Sequence, residues 1–215
     1  MTGAALTGAA LTGAALTGAA LTGAALTGRV AGAKVGCYLL PHAMALREIL
    51  EYPDPRLREV AEPVEAVTGE IRALAEDMAE TMYHAGGCGL AATQLGINKR
   101  IFVIDPAGED EPSQLRTYIN PEILELDGTQ IFQEGCLSFP GTREEIKRAE
   151  RVKVRALGLD GKPFELEADG LLAVAIQHEN DHLNGVLMID KLDAMKRRMV
   201  GRKLAKARQE QQSPG

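Results

Sequence analysis

Two of the four histidines in this 215-residue chain, His178 and His182, stand four residues apart, with Glu179 directly after the first. On a helix, residues at that separation project from one face, so both imidazoles address a single ion. Glu179 lies about 100° further round the helix axis and can approach that ion's open side. The pattern His-Glu-x-x-His binds a divalent metal and uses the carboxylate as a proton carrier. Two helical histidines are also compatible with plain surface positions. Half of the chain's histidines falling in one such pattern argues for a site.

A catalytic metal takes three protein ligands and keeps a position open. Cys136, within Gln133-Glu134-Gly135-Cys136-Leu137-Ser138-Phe139-Pro140, is a candidate for the third ligand. An isolated cysteine is more often a small core residue. It is the incomplete ligand set of the helix that makes this one a candidate. A second stretch, Gly86-Gly87-Cys88-Gly89-Leu90-Ala91-Ala92-Thr93-Gln94, contains three glycines and two alanines in nine residues. Such a backbone can come close to another group. No Lys-Ser/Thr follows, so it is not a phosphate-binding P-loop. Gln94 can donate a hydrogen bond into whatever the stretch lines.

These residues need elements to hold them. The apolar run from Leu171 to Ile176 predicts a buried helix carrying His178 and His182, with Gly185 as its stop signal. Ile71, Leu74, Met78 and Met82 recur at three- and four-residue steps and predict an amphipathic helix over residues 68–85, capped by Thr68. Residues 101–104 and 117–120 read as short strands. Residues 151–157 alternate Val152, Val154 and Ala156 with basic residues. Asp160-Gly161 then turns the chain into Phe164, Leu166 and Ala168, which predicts a β-hairpin leading into the metal helix. Residues 189–212 read as a basic helix interrupted at Gly201.

An apolar content of 45% and a charged content of 25% fit one soluble globular domain. Three cysteines, an odd number, argue against a disulfide framework and for a reducing compartment. No apolar run reaches the ~18 residues of a membrane span. The net charge of −6 is uneven: residues 191–208 carry eight Lys/Arg against Asp193 alone. A basic tail on an acidic body suits an anionic surface such as nucleic acid. Residues 2–26 are five copies of Thr-Gly-Ala-Ala-Leu. A period of five builds no apolar face on a helix or a strand, so residues 1–43 read as a low-complexity, disordered extension. The catalytic domain is expected over 44–190, and a basic C-terminal helix or tail over 191–215.

Three segments, Gly87-Cys88-Gly89-Leu90-Ala91-Ala92-Thr93-Gln94, Glu134-Gly135-Cys136-Leu137-Ser138 and Gln177-His178-Glu179-Asn180-Asp181-His182, resemble in content and order the signature motifs of the peptide deformylases. That resemblance implies removal of the formyl group from the N-terminal methionine of newly made proteins. It implies Cys136, His178 and His182 as ligands of one divalent metal, Fe(II) natively, with Zn(II), Ni(II) or Co(II) able to substitute. Glu179 would carry the proton, and Gln94 and the Leu137 backbone N–H would stabilise the oxyanion. Gly87, Cys88, Gly89, Glu134 and Arg143 would shape the site. Phe132, Phe139 and Ile176 are candidates for the methionine pocket, with core packing equally open to each. Position 88 is usually aliphatic in the family, and here it is Cys.

The fold expected is α+β: antiparallel or mixed strands around a central metal-binding helix over 171–185, followed by a C-terminal helix. The protein is expected in the cytoplasm, as a monomer, off the membrane. Its basic tail, through Lys196, Arg197, Arg198, Arg202, Lys203, Lys206 and Arg208, would dock on the ribosome as in bacterial relatives. Two other readings stay open: an endopeptidase that does not need Cys136, and a ribosome-associated protein with a structural metal. A structural site normally has four protein ligands, which counts against the latter.

Overall fold

The computed structural model describes residues 45–108 and 110–212. The expected extension over 1–43, with its repeats, lies outside them.

Among the described residues, seven strands and three α-helices follow one another as α1 (Gly69–His84), β1 (Gly89–Ala91), β2 (Ile101–Ile104), β3 (Arg116–Asp127), β4 (Gln130–Gly135), β5 (Arg143–Arg148), β6 (Arg151–Leu157), β7 (Pro163–Ala168), α2 (Gly170–Leu183) and α3 (Ala194–Gln212). β1, β2, β3, β6 and β7 pair in that order in one antiparallel sheet, and β4 and β5 form a separate two-stranded sheet. The architecture is the α+β arrangement that the sequence led us to expect.

β2 explains how the large sheet is held. All four of its residues are fully buried. Ile101 and Val103 pack with Leu74, Met78 and Met82 of α1. Phe102 and Ile104 pack with Ala173, Ile176 and Leu183 of α2. Successive side chains of a strand point to opposite faces, so this continuous apolar run places α1 on one face of the sheet and α2 on the other. The first half of α2 is correspondingly apolar on nearly every side: Ala173, Val174, Ala175 and Ile176 are all buried, and the polar residues that follow gather on the face away from this core. Gln177 ties it to the β5–β6 turn by accepting from Ala149 N–H at 3.0 Å and donating to Ala149 O at 3.0 Å.

The sequence reading succeeded where periodicity was strong. Thr68 caps α1 by accepting from Ile71 N–H, α2 stops just before Gly185 (φ +68°), and β6 and β7 pair Val154 with Leu166. Several elements differ: β1 and β4 were not anticipated as strands, and the last helix begins only at Ala194. β3 runs on past Asn120 to Asp127, through Pro121. A register shift between Ile119 and Glu122, and a positive φ at Asn120, let the chain pass the proline without losing the sheet. β5, Arg-Glu-Glu-Ile-Lys-Arg, was not anticipated, because only Ile146 of its six residues is apolar. α3 is not interrupted at Gly201. It passes straight through it, because Val200 and Leu204 are buried with Leu50, Phe139, Ile146 and Met188 in a third core cluster. Tertiary burial there outweighs the ~1 kcal/mol helix penalty of a glycine. Among the described residues, no helix is long and apolar enough to cross a membrane.

Candidate active site

Three segments distant in sequence meet at the polar face of α2. Cys136 follows β4 directly, and its Sγ lies 3.2 Å from His182 Nε2. The ligand atoms of Cys136, His178 and His182 all fall within 4.8 Å of one another. The two imidazoles are 5.0 Å apart at an interplanar angle of 64°, the arrangement foreseen from their spacing. One thiolate and two imidazoles suit a borderline-soft divalent ion. His182 Nδ1 and Glu179 Oε2 are buried without a hydrogen-bond partner among the described residues. Buried polar atoms are rarely left so, and their clustering here fits a centre completed by groups from outside the chain.

Glu134 sets the orientation of the first histidine. Its carboxylate accepts from His178 Nδ1 at 2.8 Å, and from Arg148 at 2.7 Å (Nε) and 2.9 Å (Nη2). With Nδ1 held, Nε2 is the nitrogen left to a metal. Burial acts to raise the Glu134 carboxyl, but Arg148 and His178 outweigh it and hold it at about 2. Arg148 also bonds Asp181, which Lys191 meets at 3.2 Å. A chain of alternating charge thus runs from His178 to the surface. Arg148 and Asp181 were not singled out from the sequence. The one signal for Arg148 was its parity with Ile146 on β5, which turns both inward.

Burial acts in the same way on the two histidines and Glu179. It works to lower His178, but the adjacent Cys136 and Glu134 reverse this and hold that imidazole well above its ordinary value. His182, buried beside His178 and Arg148, is held well below. Glu179 is pushed up to about 7, chiefly by burial, with the neighbouring Glu134 and Asp181 charges adding to it and His178 and Arg148 opposing. A carboxyl near neutrality both takes and returns a proton readily.

Gln94 sits in a short 3-10 turn after β1. Its Oε1 accepts from Ala91 N–H at 2.9 Å, which aims the amide nitrogen at Ser138 Oγ (3.2 Å) and Cys136 Sγ (3.8 Å). Residues 50–52 splice the two segments together: Leu50 N–H donates to Gln94 O at 2.7 Å and Tyr52 N–H to Ser138 O at 2.9 Å.

The centre opens into a cleft of about 940 Å3. Gly87, Cys88, Gly89, Phe132, Leu137 and Arg143 all line it, as does Glu134 behind His178. Neither glycine has room for a side chain unless a neighbour in the cleft moves. A Cβ on Gly89 would stand 2.5 Å from Glu179 Oε1, and one on Gly87 would stand 2.8 Å from Leu137 Cδ1. Phe139 borders the cleft but is fully buried and stacks on Tyr52 at 5.1 Å. Ile176 is not part of the wall. It packs into the core with Phe102 and Tyr118, and Leu171, Val174 and Ala175 of the same helix face the cleft instead.

Residues 46–198 match the family model described as polypeptide deformylase. The chain is 56% identical to a peptide deformylase of Alkalilimnicola ehrlichii, over 76% of this chain and 91% of that protein. It is 53% identical to one of Chromobacterium violaceum, over 76% and 96%. The crystal structure of a peptide deformylase from Legionella pneumophila superposes with a TM-score of 0.74 at 47% identity, covering 79% of this chain and all of that one. One from Synechococcus elongatus, in complex with actinonin, superposes at 0.70 and 42% identity, over 75% and 87%. With the Cys-His-His group and its glycine-lined cleft in place, these likenesses establish that the chain belongs to the polypeptide deformylase family of metal-dependent hydrolases.

Proposed function

We propose that this chain hydrolyses the formamide of N-formylmethionyl peptides at a ferrous ion held by Cys136, His178 and His182. Zn(II), Ni(II) or Co(II) would occupy the same donors. When bound there, such an ion acidifies water and polarises the formyl oxygen. The chain's own residues do the rest. Glu179 takes the proton of the attacking water and passes it to the leaving amine. Gln94 Nε2 and the Leu137 backbone N–H donate to the oxyanion, where losing one donor typically costs on the order of 100- to 1000-fold in rate. Glu134, backed by Arg148, keeps His178 in register. Gly87, Cys88 and Gly89 admit the peptide backbone, Arg143 meets it further out, and Phe132 contributes to the methionine pocket. Phe139 supports that pocket from behind, whereas Ile176 belongs to the core.

The observation that carries this reading is the buried Glu179 carboxyl beside three converging metal donors, with one oxygen unpartnered. The test is formate release from N-formyl-Met-Ala by anaerobically Fe(II)-loaded protein. Activity is expected in the native chain and absent from Glu179→Ala. Equal activity in both would remove Glu179 from the mechanism.

For the wider setting we propose a cytoplasmic monomer with its chemistry in 44–190 and none in 1–43. The proposed ribosome contact is narrower than seven basic residues. Lys196 is paired with Glu144 at 3.5 Å, and Lys203 and Arg208 donate to the Gly141 and Glu51 carbonyls. Arg198 and Arg202, flanking the exposed Met195 and Met199, have no such partner among the described residues. Charge reversal at both should abolish salt-sensitive cosedimentation with ribosomes. Unchanged cosedimentation would rule out that face.

A further inference from the structure

The cleft's volume lies near the upper end of what small-molecule sites enclose, so residues after the methionine also fall within it. Charge on its walls is uneven. Apart from His178, Glu134 and Glu179 of the centre itself, the acidic and basic residues lining it are Glu51, Arg143 and Lys203. Residues 85–89 add none.

The two cations flank one turn. Arg143 opens β5 immediately after Gly141 and Thr142. Lys203 reaches across from α3 and donates to Gly141 O at 2.5 Å. Its helix is fixed by the buried Val200 and Leu204 on either side, which sets where the side chain starts, and the bond to Gly141 O holds its ammonium at the turn. That bond uses one of three donors and leaves two. The acid next to Arg143, Glu144, is engaged by Lys196 and is not available to cancel the guanidinium. A formylated N-terminus carries no ammonium, so where the C-terminus is amidated or far down the chain, the charge a substrate presents here comes from its side chains alone.

Building on the deformylase reading, we infer that Arg143 and Lys203 form a cationic lip that selects formylmethionyl peptides carrying an acidic side chain shortly after the methionine. The lip acts on binding and not on the chemical step.

The test uses metal-loaded protein and N-formyl-Met-Ala peptides with Glu, Gln or Lys at the third or the fourth position. Turnover is measured in native protein, Arg143→Gln and Lys203→Gln; binding of the same peptides is measured by titration into Glu179→Ala. At about 10 mM salt we expect kcat/KM for Glu over Lys to differ roughly tenfold at one of the two positions, all of it in KM. The ratio should collapse near 1 M salt and shrink in each single variant. A ratio within twofold at both positions, a preference for Lys, or a Glu preference that survives both substitutions would overturn the lip. Release of formate from none of the peptides, with Glu still binding tighter than Lys, would count against the deformylase reading alone. Equal binding of all peptides would overturn the lip whatever the turnover.

Discussion

Gly89→Ala is the most incisive single test of the site. The new methyl would stand 2.5 Å from Glu179 Oε1, 3.0 Å from Cδ and 3.1 Å from Cγ. Ordinary contact begins near 3.4 Å, so the carboxylate must retreat by roughly 0.9 Å. The clash is with the tip of a side chain and not with backbone, so the fold can absorb it. We expect a stability loss of about 1 kcal/mol or less, small beside a typical overpacking penalty. The chemistry is less forgiving. A misplacement of about 1 Å at a reacting group costs on the order of 100-fold. The prediction is therefore a kcat lowered on the order of 100-fold in Fe(II)-loaded protein, with metal content and unfolding midpoint near native. The assay is formate release beside metal analysis and urea denaturation. Retention of kcat within threefold would refute the placement of Glu179 as proton carrier. A large drop in stability would instead mean that the carboxylate cannot move and that the tip of Glu179 is part of the rigid core.

Other perturbations separate the supporting residues. Arg148→Met leaves the buried Glu134 carboxylate without its bidentate partner, and should cost about 3–5 kcal/mol in urea unfolding. It should also speed metal loss to a chelator, because His178 is then less well held; unchanged stability would mean Arg148 is not needed for folding. Ile176→Val should cost about 0.5–1.5 kcal/mol as a core truncation while leaving KM for formylmethionyl peptides unaltered. A raised KM would return Ile176 to the methionine pocket. Burial acts to raise Asp105, but hydrogen bonds from Tyr83, Ser113 and the Ala107 and Gln114 N–H groups hold it at about 2, below its ordinary 3.8. A depressed carboxyl stabilises the fold above its unfolded pKa, and that contribution is lost as pH falls through the folded one. The gap in unfolding free energy between native protein and Asp105→Asn should thus be on the order of 2 kcal/mol at pH 6 and shrink below pH 4. A gap that does not depend on pH would exclude Asp105 as its source.

Much of this was open to reading before the fold. The i, i+4 spacing of His178 and His182, the caps and stops of α1 and α2, and the alternation of β6 and β7 are properties of neighbouring residues. Local backbone geometry alone turns them into a face, a helix or a hairpin. Apolar β2 likewise announced burial, though not which helix would cover which face. The ligand set was another matter. Cys136 became a ligand candidate through the incomplete histidine pair, but nothing near it in the chain says that its sulfur will lie 3.2 Å from His182, 46 residues away. That contact exists because β4 delivers Cys136 to the polar face of α2, and residues 50–52 lock the segment to Gln94. Nor does local pattern distinguish Ile176, which packs into the core, from its immediate neighbours Val174 and Ala175. All three are apolar, and only the angle at which α2 meets the sheet decides which of them faces the cleft. Arg148 looked like one more charge in a charged segment until β5 turned it inward onto Glu134. Lys203 read as one of seven bases in a tail facing away from the site until α3 docked through Val200 and Leu204. Short-range periodicity determined the elements of this protein; the partners of its charged and metal-binding groups were chosen by long-range packing, which no local spacing encodes.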